Sequence, residues 1–150
     1  MTEKKKNGNT GTLMKKLVSA KSLDNFMKQN ADIMTEISFK DHLAVLCKER
    51  DTVPERVILK SQIDRVYGHQ IFNGTRKPSR DKVLQLAFGF GLNVDETQTL
   101  LRVAGKSILY PKLKRDAIII FALNNKLNIS NVQELLYDYN LSILGDMKNE

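Results

Sequence analysis

The chain has 150 residues, 41% of them hydrophobic and 27% charged. It can therefore bury a core, and it holds no apolar run near the roughly 18 residues that a membrane-spanning helix needs. The formal charge is +7 and Cys47 is the only cysteine, which excludes an intramolecular disulfide and fits a reducing, cytoplasmic setting.

Residues 1–11 are polar, rich in Gly and Asn and free of periodicity, so a disordered basic tail is expected there. Lys4, Lys5 and Lys6 lead into Asn7, Gly8 and Asn9 rather than an apolar stretch, so no signal peptide is expected. An N-terminal helical segment is predicted over 12–37, with Leu13, Leu17 and Ala20 on one face and Phe26 and Met27 continuing it. Ser38, with an acid three residues on at Asp41, predicts a helix start with Phe39, Leu43, Leu46 and Cys47 inward. Thr52 is expected to cap a helix carrying Pro54 in its first turn. Asp64 is expected to cap another that stops near Asn73 and Gly74. Pro78 and Ser79 open a helix predicted to run to the glycines at 89 and 91, and Asn93 with Glu96 forms a capping pair for the next, which stops at Gly105. No stretch sustains the alternation of a half-buried strand, and even Ile118–Phe121 lies in helical surroundings. The expected class is all-α.

Residues 79–109 and 114–144 align without gaps at an offset of 35, with 11 identities in 31 positions. Arg80/Arg115, Asp81/Asp116, Asn93/Asn128 and Gln98/Gln133 are among them, and Val83/Ile118 and Val94/Ile129 keep apolar character. This predicts a helical hairpin present twice, the second copy stacked on the first. Residues 107–150 carry five basic and five acidic residues, which suits packing or dimerisation better than contact with a polyanion. Residues 60–82 are the opposite, with Lys60, Arg65, Arg76, Lys77, Arg80 and Lys82 against only Asp64 and Asp81. Such a cluster marks either a phosphate-facing edge or a solvated surface.

Inside that cluster, Pro54–Asn73 (PERVILKSQIDRVYGHQIFN) has the pattern of two short helices joined by a turn at Ser61, Gln62 and Ile63. Together with Ile71-Phe72-Asn73-Gly74, Thr75-Arg76-Lys77-Pro78-Ser79 and Gly91-Leu92-Asn93-Val94-Asp95-Glu96, the stretch Phe39–Leu101 resembles the lambda repressor, Cro and Xre group of bacterial and phage transcriptional regulators. The resemblance implies a lambda-repressor-like helix-turn-helix bundle over 38–106, extended by the N-terminal segment and by the duplicated hairpin at 107–150. It departs from the group at three motif positions. Ile58 stands where a small residue is usual, Gln62 where Gly is, and Gly68 where Val or Ile is. In the group's geometry positions 58 and 68 face each other, so Ile58 with Gly68 is a size exchange that conserves volume.

The resemblance places Arg65, Val66 and Gln70 at base-facing positions of a reading helix over 64–73, with His69 beside them meeting a base edge or a phosphate. The chemistry suits guanine O6 and N7 for Arg65, adenine N6 and N7 for Gln70, and a thymine methyl for Val66. A surface ion pair with a nearby acid is the competing role for Arg65. Phosphate contacts are expected from Asn73, Thr75, Arg76 and Lys77, with Lys82 and Tyr67 as further candidates and packing as Tyr67's other role. Helix starts near Thr52 and Ser79 offer N–H groups to the same anions. Arg80 is expected to be structural, because its Arg-Asp pair recurs in the second hairpin. The implied partner is double-stranded DNA, bound by a homodimer through the helix over 93–105 or that over 131–139. No catalytic residues, metal site or cofactor are expected: His42, His69 and Cys47 lack ligand or catalytic spacing. The alternative is a helical protein-interaction adaptor on the same scaffold that does not bind DNA, and a regulator with a protein partner, such as an antitoxin, is a third form.

Overall fold

The computed structural model describes residues 10–31, 34 and 37–145. Among them it is all-helical, with nine α-helices and no strand. The chain divides into two compact units, Met1–Glu36 and Ile37–Glu150.

In the first unit, α1 spans Thr10–Ser19 and α2 spans Leu23–Gln29. Thr10 and Gly11, expected in the tail, open α1; Lys4–Lys6 lie outside the described residues. The expected apolar stripe is interrupted because Ser22 adopts an extended backbone and its side chain accepts from the Asn25 N–H, starting a new helix. Of that stripe only Phe26 is buried, while Leu17, Ala20 and Met27 are exposed.

The second unit contains α3 (Phe39–Glu49), α4 (Pro54–Ser61), α5 (Arg65–Phe72), α6 (Arg80–Phe90), α7 (Val94–Val103), α8 (Lys114–Asn124) and α9 (Ile129–Asp138). Ser38, Asp64, Ser79, Asn93 and Asn128 each cap a helix by accepting from the N–H three residues on. At α4 the cap is Val53, not Thr52, and it makes no side-chain bond. Pro54 at the helix start lacks an N–H, so the helix has one fewer donor to satisfy.

Helix α6 is the centre of the unit, buried at Val83, Leu84, Leu86, Ala87, Phe88 and Phe90 and packed against α4, α7 and α9. Gly89 is not the expected stop but a buried residue inside this helix. A Cβ there would sit 2.7 Å from the Val57 carbonyl oxygen and collide with the Ser61 hydroxyl, so only glycine lets α4 and α6 approach this closely. The stop is Gly91, in the left-handed region at φ 71°. Buried Gln85 on α6 donates to the carbonyls of Ser61 and Gln62, satisfying acceptors at the end of α4.

The two hairpins, α6–α7 and α8–α9, repeat one another in detail. Lys126 and Asn140 adopt positive φ where the first copy has Gly91 and Gly105. Gln98 and Gln133 each bond both backbone groups of a residue 11 positions on, Leu109 and Leu144. Arg80 reaches across to Asp116, and Arg115 to Asp81, at 2.9–3.1 Å. Each arginine also holds its own hairpin's tail, through the carbonyls of Ser107 and Ile108 or of Ser142 and Ile143. Each aspartate accepts an N–H from the other hairpin's tail, at Tyr110 or Gly145. The duplicated halves thus meet about a local two-fold, and 107–145 belongs to the same compact unit as 37–106.

Candidate nucleic-acid interface

Helix α5 is fixed from below and open above. Ile71 and Gly68 are buried, α4 and α3 pack against the helix, and buried Ile63 pins the turn before it. A Cβ on Gly68 would lie 2.6–2.9 Å from three side-chain carbons of Ile58, so the small residue on α5 and the large one on α4 are matched. Gln62 holds the left-handed turn conformation at φ 56°, and its Nε2 donates to the Ser130 hydroxyl on α9 at 2.9 Å. This bond ties the turn to the duplicated hairpin and offsets part of the strain that glycine would avoid.

The exposed face of α5 carries Arg65, whose side chain is 77% exposed, and Val66, at 64%. His69 and Gln70 are half-buried on the next turn. Arg65 is ion-paired: its Nε donates to both carboxylate oxygens of Glu55 at 3.1 Å. His69 Nε2 lies 3.1 Å from Glu55 Oε1. The hydrogen bond from His69 first, and that from Arg65 next, hold the Glu55 carboxyl below its ordinary pKa. A carboxylate only accepts, so the bond to Glu55 is donated by His69 Nε2–H. The surface ion pair that competed with base reading for Arg65 is thus formed, and Glu55 is the acid that the sequence did not single out. The helix start expected near Thr52 to offer N–H groups to phosphate carries this carboxylate in its first turn.

Tyr67 is half-buried beneath two cations, with the Arg76 guanidinium 4.0 Å and Lys82 Nζ 5.4 Å from the ring centroid. Its ring packs under the basic loop, and the cation–π contacts hold Arg76 against α5. Asn73 Oδ1 accepts from the Thr75 N–H at 2.9 Å and from the Thr75 hydroxyl, closing the turn that leads out of α5. Gly74 follows at φ 83°. Arg76 and Lys77 are exposed, and Lys82 is half-buried with its Nζ 3.4 Å from Gln85 Oε1. Arg80 is turned away from this set into its ion pair with Asp116.

The structure therefore brings Arg65, Val66, Tyr67, His69, Gln70, Asn73, Thr75, Arg76, Lys77 and Lys82 together on α5, the loop after it and the first turn of α6. Among the described residues no group of His, Cys, Asp and Glu is placed to hold a metal ion, and no helix is long and apolar enough to cross a membrane. Burial pushes the Cys47 thiol above its ordinary pKa. No family model, no curated protein and no solved structure matches the chain.

Proposed function

We propose that the chain is a sequence-specific DNA-binding protein of the lambda repressor, Cro and Xre type, a bacterial or phage-type transcriptional regulator. In this reading α4 and α5 are its helix-turn-helix and α5 enters the major groove. The observation that carries it is the exposed edge of α5, where Arg65 and Val66 project from a helix anchored by Ile71 and Gly68 beside the exposed cations Arg76 and Lys77. A groove about 12 Å wide admits such a helix. Arg65, Val66, His69 and Gln70 then meet base edges, while Arg76 and Lys77 meet phosphates and Tyr67 supports them. Asn73 and Thr75 shape the loop, and the Asn73 side-chain Nδ2 is the donor left for the backbone. The proposal assigns no catalytic step and no cofactor.

A homodimer belongs to the same proposal, because two half-sites one helical turn apart need two reading helices. Helix α7 packs against α3, α6 and α8, whereas Tyr137 and Tyr139 at the end of α9 are exposed. The α9 edge is therefore the better pairing face, and sedimentation velocity of the full chain with and without Tyr137→Lys tests it.

The decisive experiment is selection of bound fragments from a random duplex pool, followed by titration at two salt concentrations. Recovery of one sequence, bound saturably and more tightly than random duplex, is the expected result. One observation favours a second reading: Glu55 offsets the charge of Arg65 on the exposed face of α5, which suits a protein-interaction adaptor. Weak binding that moderate salt erases on every sequence is its signature and defeats the regulator.

A further inference from the structure

We infer that Glu55 is a specificity-determining residue, an acidic latch on α4 that fixes how Arg65 and His69 on α5 are presented to base pairs; this rests on the DNA-binding reading above. Arg65 and His69 are four residues apart and so share one helix face, and Glu55 bonds both from the neighbouring helix at 3.1 Å. All three side chains are substantially exposed, so the set is an outer feature and not part of the core.

The geometry selects one mode of recognition. A guanidinium can offer guanine O6 and N7 a parallel pair of N–H groups side-on, through Nε and one Nη, or end-on, through both Nη. With Nε committed to the Glu55 carboxylate, the end-on pair is the one left to DNA. His69 is oriented by the same carboxylate, with Nε2 turned to Glu55 and Nδ1 left for a base edge or a phosphate. Holding both side chains before binding also lowers the rotamer entropy lost on docking.

The same carboxylate acts against indiscriminate binding. A helix start attracts anions through its free N–H groups. At α4 that place holds Pro54, which has no N–H, and Glu55, which is negative. A backbone phosphate passing this end is repelled, so DNA without the right base pair gains less here than the +7 chain would otherwise allow. The two effects work in opposite directions on random and cognate DNA, and that split separates a latch from a mere structural ion pair.

The test is fluorescence titration of the wild-type chain, Glu55→Ala and Glu55→Gln with a pool-selected duplex and a random duplex, alongside the Arg65 Nε–H resonance in the free proteins. Glu55→Ala should bind random duplex severalfold more tightly and lower the cognate-to-random ratio roughly tenfold. Glu55→Gln, which keeps an acceptor oxygen but not the charge, should restore the cognate affinity lost in Glu55→Ala while random-duplex binding stays raised, and the Arg65 resonance should move in Glu55→Ala. An unchanged ratio in Glu55→Ala, an equal loss on both duplexes without rescue by Gln, or an unmoved Arg65 resonance overturns the latch alone. A wild-type chain that fails to discriminate the two duplexes overturns the DNA-reading proposal and the latch with it.

Discussion

Two effects oppose each other at position 68. Glycine inside a helix costs about 1 kcal/mol against alanine, yet a Cβ there would press to 2.6 Å on the side chain of Ile58, which is itself buried. Overpacking of a closed core costs roughly 1–3 kcal/mol, so packing outweighs propensity. Gly68→Val should therefore lower the melting temperature, and adding Ile58→Ala should raise it again; a double variant no more stable than the single one would show that the pair is not coupled. Glu96 gives a pH dependence. The Asn93 N–H first, and the Arg50 guanidinium with it, hold its carboxyl below the ordinary value of 4.5. A depressed folded pKa means stability that is fully present above the unfolded value and lost as pH falls through the folded one. As pH falls through and below 4.5 the wild-type melting temperature should thus fall more than that of Glu96→Gln, and parallel curves would exclude this contribution.

Among the elements, the hairpins are joined by two ion pairs related by the local two-fold. Asp81 and Asp116 are buried, and each receives a bidentate arginine from the other hairpin and an N–H from its tail. Removing one member of a buried pair strands the other, at a cost of about 3 kcal/mol or more. Asp81→Ala and Asp116→Ala should each lower stability by that order in urea denaturation, and by similar amounts because their surroundings match. A large difference between them would break the equivalence of the two copies. The repeat itself was legible because four of its 11 identities fall on polar working residues, the Arg-Asp pair, the capping Asn and the bridging Gln, and most of the rest on apolar positions. What the offset of 35 could not tell is that each arginine crosses to the other copy, since alignment shows correspondence and not contact.

Across the second unit as a whole, charge and packing are separated. Arg65, Arg76, Lys77 and Lys82 gather around α5 and the loop after it, while the neutral hairpin α8–α9 packs on α6 and α7, takes up Arg80 and meets the turn through the Gln62–Ser130 bond. Base contacts and phosphate contacts should then respond differently to substitution. Lys77→Ala should weaken all duplexes alike and reduce the slope of log affinity against log salt by about 1. Arg65→Ala should cost ~1–3 kcal/mol at one base pair and relax selectivity there. Equal losses for Arg65→Ala on cognate and random DNA would remove it from the base-reading set.

Sequence alone determined what lies within a few residues: the helical class, most of the caps, a helix end at the glycines 89 and 91 and the existence of a repeat. Periodicity and capping are local because a helix bonds each residue to one four positions away. Val53 in place of Thr52 as the cap of α4, and Gly89 as a contact instead of a stop, depended on packing that no local pattern carries. The Glu55–Arg65–His69 set, the crossed Arg-Asp pairs and the reach of Gln62 to Ser130 join residues 10 to 68 positions apart. Only the folded arrangement of the helices brings those side chains within hydrogen-bond range, and so only tertiary structure decided them.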